Sequence, residues 1–452
     1  MSAPPARPAR RRRVWWPRWV WAVVALAVVG AGIVVGVRLM GGSAPTPTAG
    51  TTPQPTSSAM DTPASSPTAT AEPPVSIAPE GWQVHPDAPF GLGGVAAWTG
   101  EELVVGAGAC CATLAPPDIA AYHPATETWR DLPDHPVRCR AGDAAVWTGE
   151  DLIFVGGYTT PTCVMPGTND PWTGIDSYAL DVGSGTWRTL PPPPQAVRLV
   201  DHLVWTGSGV LGLGRAGFDP TEPVLLLRYD PITDAWDEPE ALPGPARRDF
   251  AAVWTGENLL VWGGSHQRSP WPQEQWMPLA GGWAYAPSSD TWTPITPAPL
   301  PGTNRPYATW TGTEMIIWGG AIRGPELDEA STHGAAYHPA TDTWRVLADL
   351  PAEALPDRLS SPEPWSSVWT ETEFILLIRG IAAQEWTTLF AAYSPSADTW
   401  RILPPTPLYN AVSTTWTGHA VLLTGSLIDD VHGGPPGQRL VEYHPGPIHI
   451  RD

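Results

Sequence analysis

The 452 residues suffice for a large core, and 56 Pro with 45 Gly suit a fold made of turns. The formal net charge of −20 is split: residues 1–40 hold seven Arg and no acid, while the rest sets 18 Arg against 45 Asp plus Glu, a balance of −27. An acidic body of that size repels nucleic acid and anionic lipid, so no nucleic-acid partner is expected.

Residues 1–18 form a basic tail, with Arg7, Arg10, Arg11, Arg12, Arg13 and Arg18. Trp19 to Val37 follows without a charge and ends at Arg38, which predicts a transmembrane helix over 19–38. The Arg cluster keeps the N-terminus cytoplasmic and sends the remainder outside, as a single-pass plasma-membrane protein. A cleaved signal peptide is the competing reading; the long apolar core and the lack of a clear small-residue cleavage site favour an uncleaved anchor. Residues 39–79 are almost all Ser, Thr, Pro, Ala and Gly, and are expected to form a disordered linker of about 100 Å if extended.

From residue 80 to 452 the chain reads as one repeating domain. Trp-Thr-Gly recurs at Trp98, Trp147, Trp205, Trp254, Trp310 and Trp416, and Trp369-Thr370-Glu371 is a weakened copy. The copies lie 47 to 59 residues apart. A turn leading into a second Trp recurs at Trp129, Trp187, Trp236, Trp292, Trp344 and Trp400, usually after a Tyr-x-Pro. Between the two signatures an apolar run stops at Gly156-Gly157, Gly263-Gly264 and Gly319-Gly320. Each unit predicts four short strands separated by turn residues. This pattern resembles kelch repeats, whose period is about 50 residues. The resemblance implies an all-β, seven-bladed kelch-type β-propeller, although blades one, three, six and seven lack a clean Gly-Gly.

The ends of the repeat region bear on closure. Gly81-Trp82-Gln83-Val84 stands alone ahead of the first copy, and the last copy stops at Tyr443-His444-Pro445 with no closing Trp. The expectation is that Trp82 supplies the missing outer strand of the last blade, which leaves no open sheet edge in the ring. All fourteen repeat tryptophans are expected to pack blade against blade.

Strands running up and down sort the loops onto two faces. The turns after the first and third strands are short and alike; the loops after the second strands vary, and variable loops mark the side that binds. Candidates on that side are Trp172 in blade two and His266, Arg268, Trp271 and Trp276 in blade four. Arginines leading into the first strands join them: Arg140, Arg198, Arg247, Arg248 and Arg305. Guanidinium groups suit a carboxylate or an acidic peptide, unless each pairs with an acid of a neighbouring blade. Cys110, Cys111, Cys139 and Cys163 crowd blades one and two, and outside the membrane two disulfides are expected, with three pairings open.

No catalytic, metal or cofactor constellation stands out. His123, His338 and His444 fall in the repeated Tyr-His-Pro turn. The copper set of galactose oxidase, a kelch enzyme, has no counterpart here. The expected function is an extracytoplasmic binding module that recognises a protein, peptide or glycan through its variable face. Alternatives are an envelope carbohydrate-active enzyme, epimerase or oxidase-like, and a structural scaffold of the envelope.

Overall fold

The computed structural model describes residues 81–445 except 87, 89–94, 107–118, 138–139, 160–172, 175, 195–196, 218, 220, 268–275, 324–327, 356–357, 360–365, 383–384 and 428–437. The expected membrane helix, linker and disulfides therefore lie outside the described residues. Among the described residues no helix is long and apolar enough to cross a membrane. Apart from one 3₁₀ turn at Ala352–Ala354, the described elements are strands.

Seven sheets are each built on four antiparallel strands, and the first strand of every blade contacts the first strand of the next until the circle closes. Blade 4 is typical: Ala251–Trp254, Leu259–Trp262, Gly282–Ala286 and Thr291–Ile295 pair in sequence order. The ring is shut as the sequence predicts. Gly81–Val84 pairs with Gln438–His444, Trp82 opposite Tyr443, and becomes the outer strand of blade 7. His85 then bridges the seam, its ring 2.7 Å from Glu442 of blade 7 and 2.7 Å from the Tyr122 hydroxyl of blade 1.

The core is distributed between blades rather than gathered in one place. Seven apolar clusters each join the middle strands of one blade to those of its neighbour; Leu211, Leu226 and Tyr285, for example, join blades 3 and 4. All fourteen repeat tryptophans are partly buried and pack against these clusters. The deepest aromatics are instead the repeat tyrosines Tyr122, Tyr229, Tyr285, Tyr393 and Tyr443, together with Trp262, Phe374 and Phe390. Six of the seven outer-strand tryptophans, all but Trp292, also tie the ring together by donating Nε1–H to a backbone carbonyl of the segment that precedes their blade. Trp82 reaches Pro404 O at 3.1 Å, Trp187 Pro133 O at 3.0 Å and Trp400 Ala348 O at 2.8 Å.

The face of short turns is occupied by its own chemistry. The Thr of each Trp-Thr-Gly accepts backbone N–H bonds through Oγ1, as Thr311 does from Glu314 at 3.0 Å, and the following Gly takes a left-handed φ of 93–106°. In the other turn an Asp with positive φ accepts the buried Tyr hydroxyl: Tyr229 to Asp234, Tyr285 to Asp290, Tyr337 to Asp342 and Tyr393 to Asp398 at 2.6–2.8 Å. Arginine after the outer-strand Trp makes a two-point bond to the acid four residues after the inner-strand Trp. Arg130 holds Glu102, Arg345 holds Glu314 and Arg401 holds Glu373. Arg345 also reaches Tyr393 of the next blade at 2.8 Å.

Candidate functional site

On the opposite face the Gly-Gly steps decide where the second strands go. Gly263 and Gly264 take φ of 71° and 83°, and Gly319 and Gly320 take 71° and 88°. A Cβ at Gly264 would lie 2.6 Å from Arg248 O, so only glycine lets the chain turn so close to the preceding segment. After each pair the chain leaves the blade as a short ribbon, Ser265–Gln267 with Trp276–Pro278 and Ala321–Arg323 with Asp328–Ala330.

Beside these ribbons, at the leading ends of the first strands of blades 3 to 6, lies a cavity of about 490 Å³. That size falls within the range of about 300–1,000 Å³ usual for ligand sites. Its charged and polar lining comes from Asp201 and His202, Asp249, Arg305 and Tyr307, and Ser366 and Ser367; Phe250 and Pro306 are among the apolar walls.

Local irregularities place these groups. The pairing of Leu199–Trp205 slips between Val200 and His202, leaving Asp201 as a bulged residue that re-aims the strand. Asp201 is held by Arg215 through two bonds of 2.7 and 2.6 Å. Asp249 and Arg305 each stand five residues before their first-strand Trp and share a left-handed φ of 54° and 53°. The Arg305 N–H donates to Asp249 O at 2.6 Å, and Arg305 Nε lies 3.4 Å from Asp249 Oδ1.

His202 Nε2 lies 3.0 Å from Phe250 O, and because a carbonyl only accepts, that nitrogen carries the proton. Burial pushes the imidazole below its ordinary value, against the pull of Asp201 and of the Phe250 bond. His202 is therefore neutral near pH 7, with Nδ1 left as an acceptor. The lining can thus accept a donor at His202 and the carboxylates, and can offer a cation at Arg305. Among the described residues no three His, Cys, Asp or Glu side chains gather as a metal site requires.

Of the residues singled out from sequence, Arg305 lines this cavity. Arg247 does not: it is 3% exposed and directs Nη1 at Gly263 O and Gly281 O, 3.3 and 3.4 Å away. Burial lowers its pKa to about 10, which still leaves it protonated. Arg248 is half-buried and pairs by backbone with Ser265. Arg198 is exposed, and its carbonyl accepts the Gly157 N–H at 2.8 Å. Arg140 opens the first strand of blade 2. His266 and Trp276 belong to the blade 4 ribbon, where His266 Nδ1 lies 3.1 Å from Ala246 O. Arg268, Trp271 and Trp172 are outside the described residues.

No established family model matches the chain. It is similar to Kelch-like protein 35 of Mus musculus, 24% identical over 254 residues, which cover 56% of this chain and 38% of that protein. It is also similar to Kelch-like protein terF of Aspergillus terreus, 37% identical over 222 residues, which cover 46% of this chain and 44% of that protein. The chain thus matches less than half the length of either curated relative. The solved structure of YjhT aligns with 71% of this chain and 100% of its own at 16% identity and a TM-score of 0.48. Seven blades, each built on the Trp-Thr-Gly and Tyr/Trp signatures, together with similarity to two kelch-like proteins, support a kelch-repeat β-propeller.

Proposed function

We propose that this propeller is a binding module that engages a protein partner through its variable-loop face, with a carboxylate of the partner seated in the cavity of blades 3 to 6. One observation carries the reading: the cavity places Arg305 among His202, Tyr307 and the serines, whereas the turn face spends its polar groups on its own turns and blades. Kelch propellers commonly serve protein interaction, which agrees with this use. The test is fluorescence anisotropy of the full chain in detergent against labelled acidic peptides. Arg305→Gln should weaken binding at least about tenfold, as expected for loss of a charged hydrogen-bonded contact, without altering the melting temperature. Binding that survives this change but is lost on altering the turn face, for example at Ile232, would refute the reading.

A second reading draws on the same cavity. An acid beside an arginine, with a neutral imidazole nearby, also suits a carbohydrate-active site, and turnover of a sugar panel would favour it over binding alone. Location belongs to the proposal as well: residues 19–38 span the plasma membrane once and the propeller stands outside. Support comes from the uncharged stretch behind six arginines. Resistance of the four cysteines to alkylation until reduced would agree with that location, and ready alkylation would count against it.

A further inference from the structure

We propose that the root of the blade 4 ribbon is a binding site for a small inorganic anion, which acts as the counter-ion of Arg247 and ties together the two segments that lead into Asp249 and Arg305. The argument starts from where the unpaired polar groups fall. Among the described residues ten buried side-chain N and O atoms have no hydrogen-bond partner, and six of them belong to Arg247, Arg248, Ser265, Gln267, Thr303 and Asn304. All of these residues except the half-buried Arg248 are at most 4% exposed.

The six come from three stretches of chain in direct contact. Arg248 and Ser265 exchange backbone bonds of 3.0 and 2.9 Å, and the Gly264 N–H donates to Thr303 O at 2.9 Å. Ser265 and Gln267, two apart in one ribbon strand, share a side of it. The Arg247 guanidinium reaches the same place, with Nη1 3.3 Å from Gly263 O.

Charge decides what the site holds. Arg130 and Arg345 each bond a glutamate, which raises their pKa. Among the described residues no carboxylate does this for Arg247; burial alone acts on it, and lowers its pKa. Its two carbonyl bonds, 3.3 and 3.4 Å, are longer than the usual range of about 2.7–3.2 Å, and Nε makes none. A guanidinium keeps its charge at any ordinary pH, so burying one calls for a compensating negative charge. Water would satisfy hydroxyls and amides but would leave that charge uncompensated. The neighbours suit an anion. Arg248 adds a second cation, and the Ser265 and Thr303 hydroxyls can donate. The Gln267 and Asn304 amides present NH₂ when turned about their last bond, an orientation that the partner sets. None of the six groups is confined to accepting. Enclosure limits the occupant to about the size of chloride or phosphate.

The consequence reaches the cavity. Arg247-Arg248 runs directly into Asp249, and Thr303-Asn304 into Arg305. An anion between these segments fixes the relative position of two charged residues in the cavity wall. The site stands independently of what the cavity binds.

The experiment is urea titration of the full chain in detergent at constant ionic strength. Sodium gluconate is replaced stepwise by chloride in one series and by phosphate in another; gluconate is too large for an enclosed site. The occupying anion should lower the wild-type unfolding constant in proportion to 1 + [anion]/Kd, about tenfold when it reaches ten times its Kd. Arg247→Met should show no such dependence. In gluconate it should be at least as stable as wild type, because it removes an uncompensated charge; an arginine that only braces two carbonyls would leave it weaker in every salt. Thr303→Val is isosteric and keeps Arg247, and should raise the anion concentration needed about tenfold. It decides the question should Arg247→Met not fold. Equal wild-type stability in chloride, phosphate and gluconate would overturn the site, as would an anion response that Arg247→Met or Thr303→Val leaves unchanged; internal water is then the partner of these groups. Either result leaves the Arg305→Gln binding test untouched.

Discussion

Glu371 occupies a position that six other blades give to glycine. It takes φ of 71° in the turn after the first strand of blade 6, where Gly100, Gly149, Gly207, Gly256, Gly312 and Gly418 take 93–106°. A left-handed backbone costs an ordinary residue about 1–2 kcal/mol, and glycine gives back about 0.5–1 kcal/mol in unfolded-state entropy. The Glu371 side chain offers little in return: its carboxylate accepts the Trp416 Nε1–H at 3.4 Å on an exposed surface. Glu371→Gly should therefore stabilise the propeller by about 0.5–1 kcal/mol. Spread over so large a domain this raises the melting temperature by only about 1 °C, so urea titration of full-length protein is the better assay. Glu371→Ala is the matched control, because it removes the carboxylate and keeps the strained backbone; it should show no gain. Equal stabilisation by both variants, or destabilisation by Glu371→Gly, would refute the backbone argument.

Two glycines with similar φ should respond very differently to alanine. At Gly256 an added Cβ meets nothing within 4 Å, so the cost is that of the backbone alone, about 1 kcal/mol. At Gly264 it would lie 2.6 Å from Arg248 O and 2.9 Å from the Phe250 Cβ, and the loss should reach about 3 kcal/mol by denaturant titration. The seam should be acid-sensitive. Burial pushes the Glu442 carboxyl up, but the His85 bond, with His444, His85 and His419 nearby, outweighs it and leaves the pKa lowered. A lowered folded-state pKa adds stability above the ordinary carboxylate range and loses it as pH falls through the folded value. Between about pH 5 and pH 3 the wild type should lose stability more steeply than Glu442→Gln. At pH 7 the variant should be weaker by about 3 kcal/mol, as for a buried pair broken on one side. Parallel acid limbs for the two proteins would exclude Glu442 as the sensor.

Most of the ring was legible because repetition multiplies a weak local signal. One Trp-Thr-Gly says little; its recurrence gave the blades, and the orphan Trp82 with the unfinished Tyr443 copy gave the closure. The arginine staples were equally present in the sequence and passed unread. In blades 1, 2, 5 and 6 an acid four residues after the first Trp (Glu102, Asp151, Glu314, Glu373) accompanies an Arg after the outer Trp (Arg130, Arg188, Arg345, Arg401). In blades 3, 4 and 7 both are replaced together, by Gly209 and Asp237, Asn258 and Thr293, and Ala420 and Gln83. Comparing the copies with one another would have found the pairing. The cavity was harder. Its place ahead of a first strand flagged Arg305, but Asp201, His202, Asp249 and Tyr307 enter through a bulge and two left-handed residues. Such breaks interrupt the two-residue alternation from which side-chain direction is read. Arg247 likewise leads into a first strand, and nothing in the sequence marked its burial.

Pairing the first described strand with the last makes timing part of the architecture. His85 and Glu442 are 357 residues apart. At a synthesis rate of about 5–20 residues per second, roughly 20–70 s separate the two leaving the ribosome. Throughout that interval the nascent blades present an unsealed sheet edge. A chain halted before Gln438–His444 would keep that edge for good, which makes premature termination near the C-terminus a more damaging error than its small loss of length suggests.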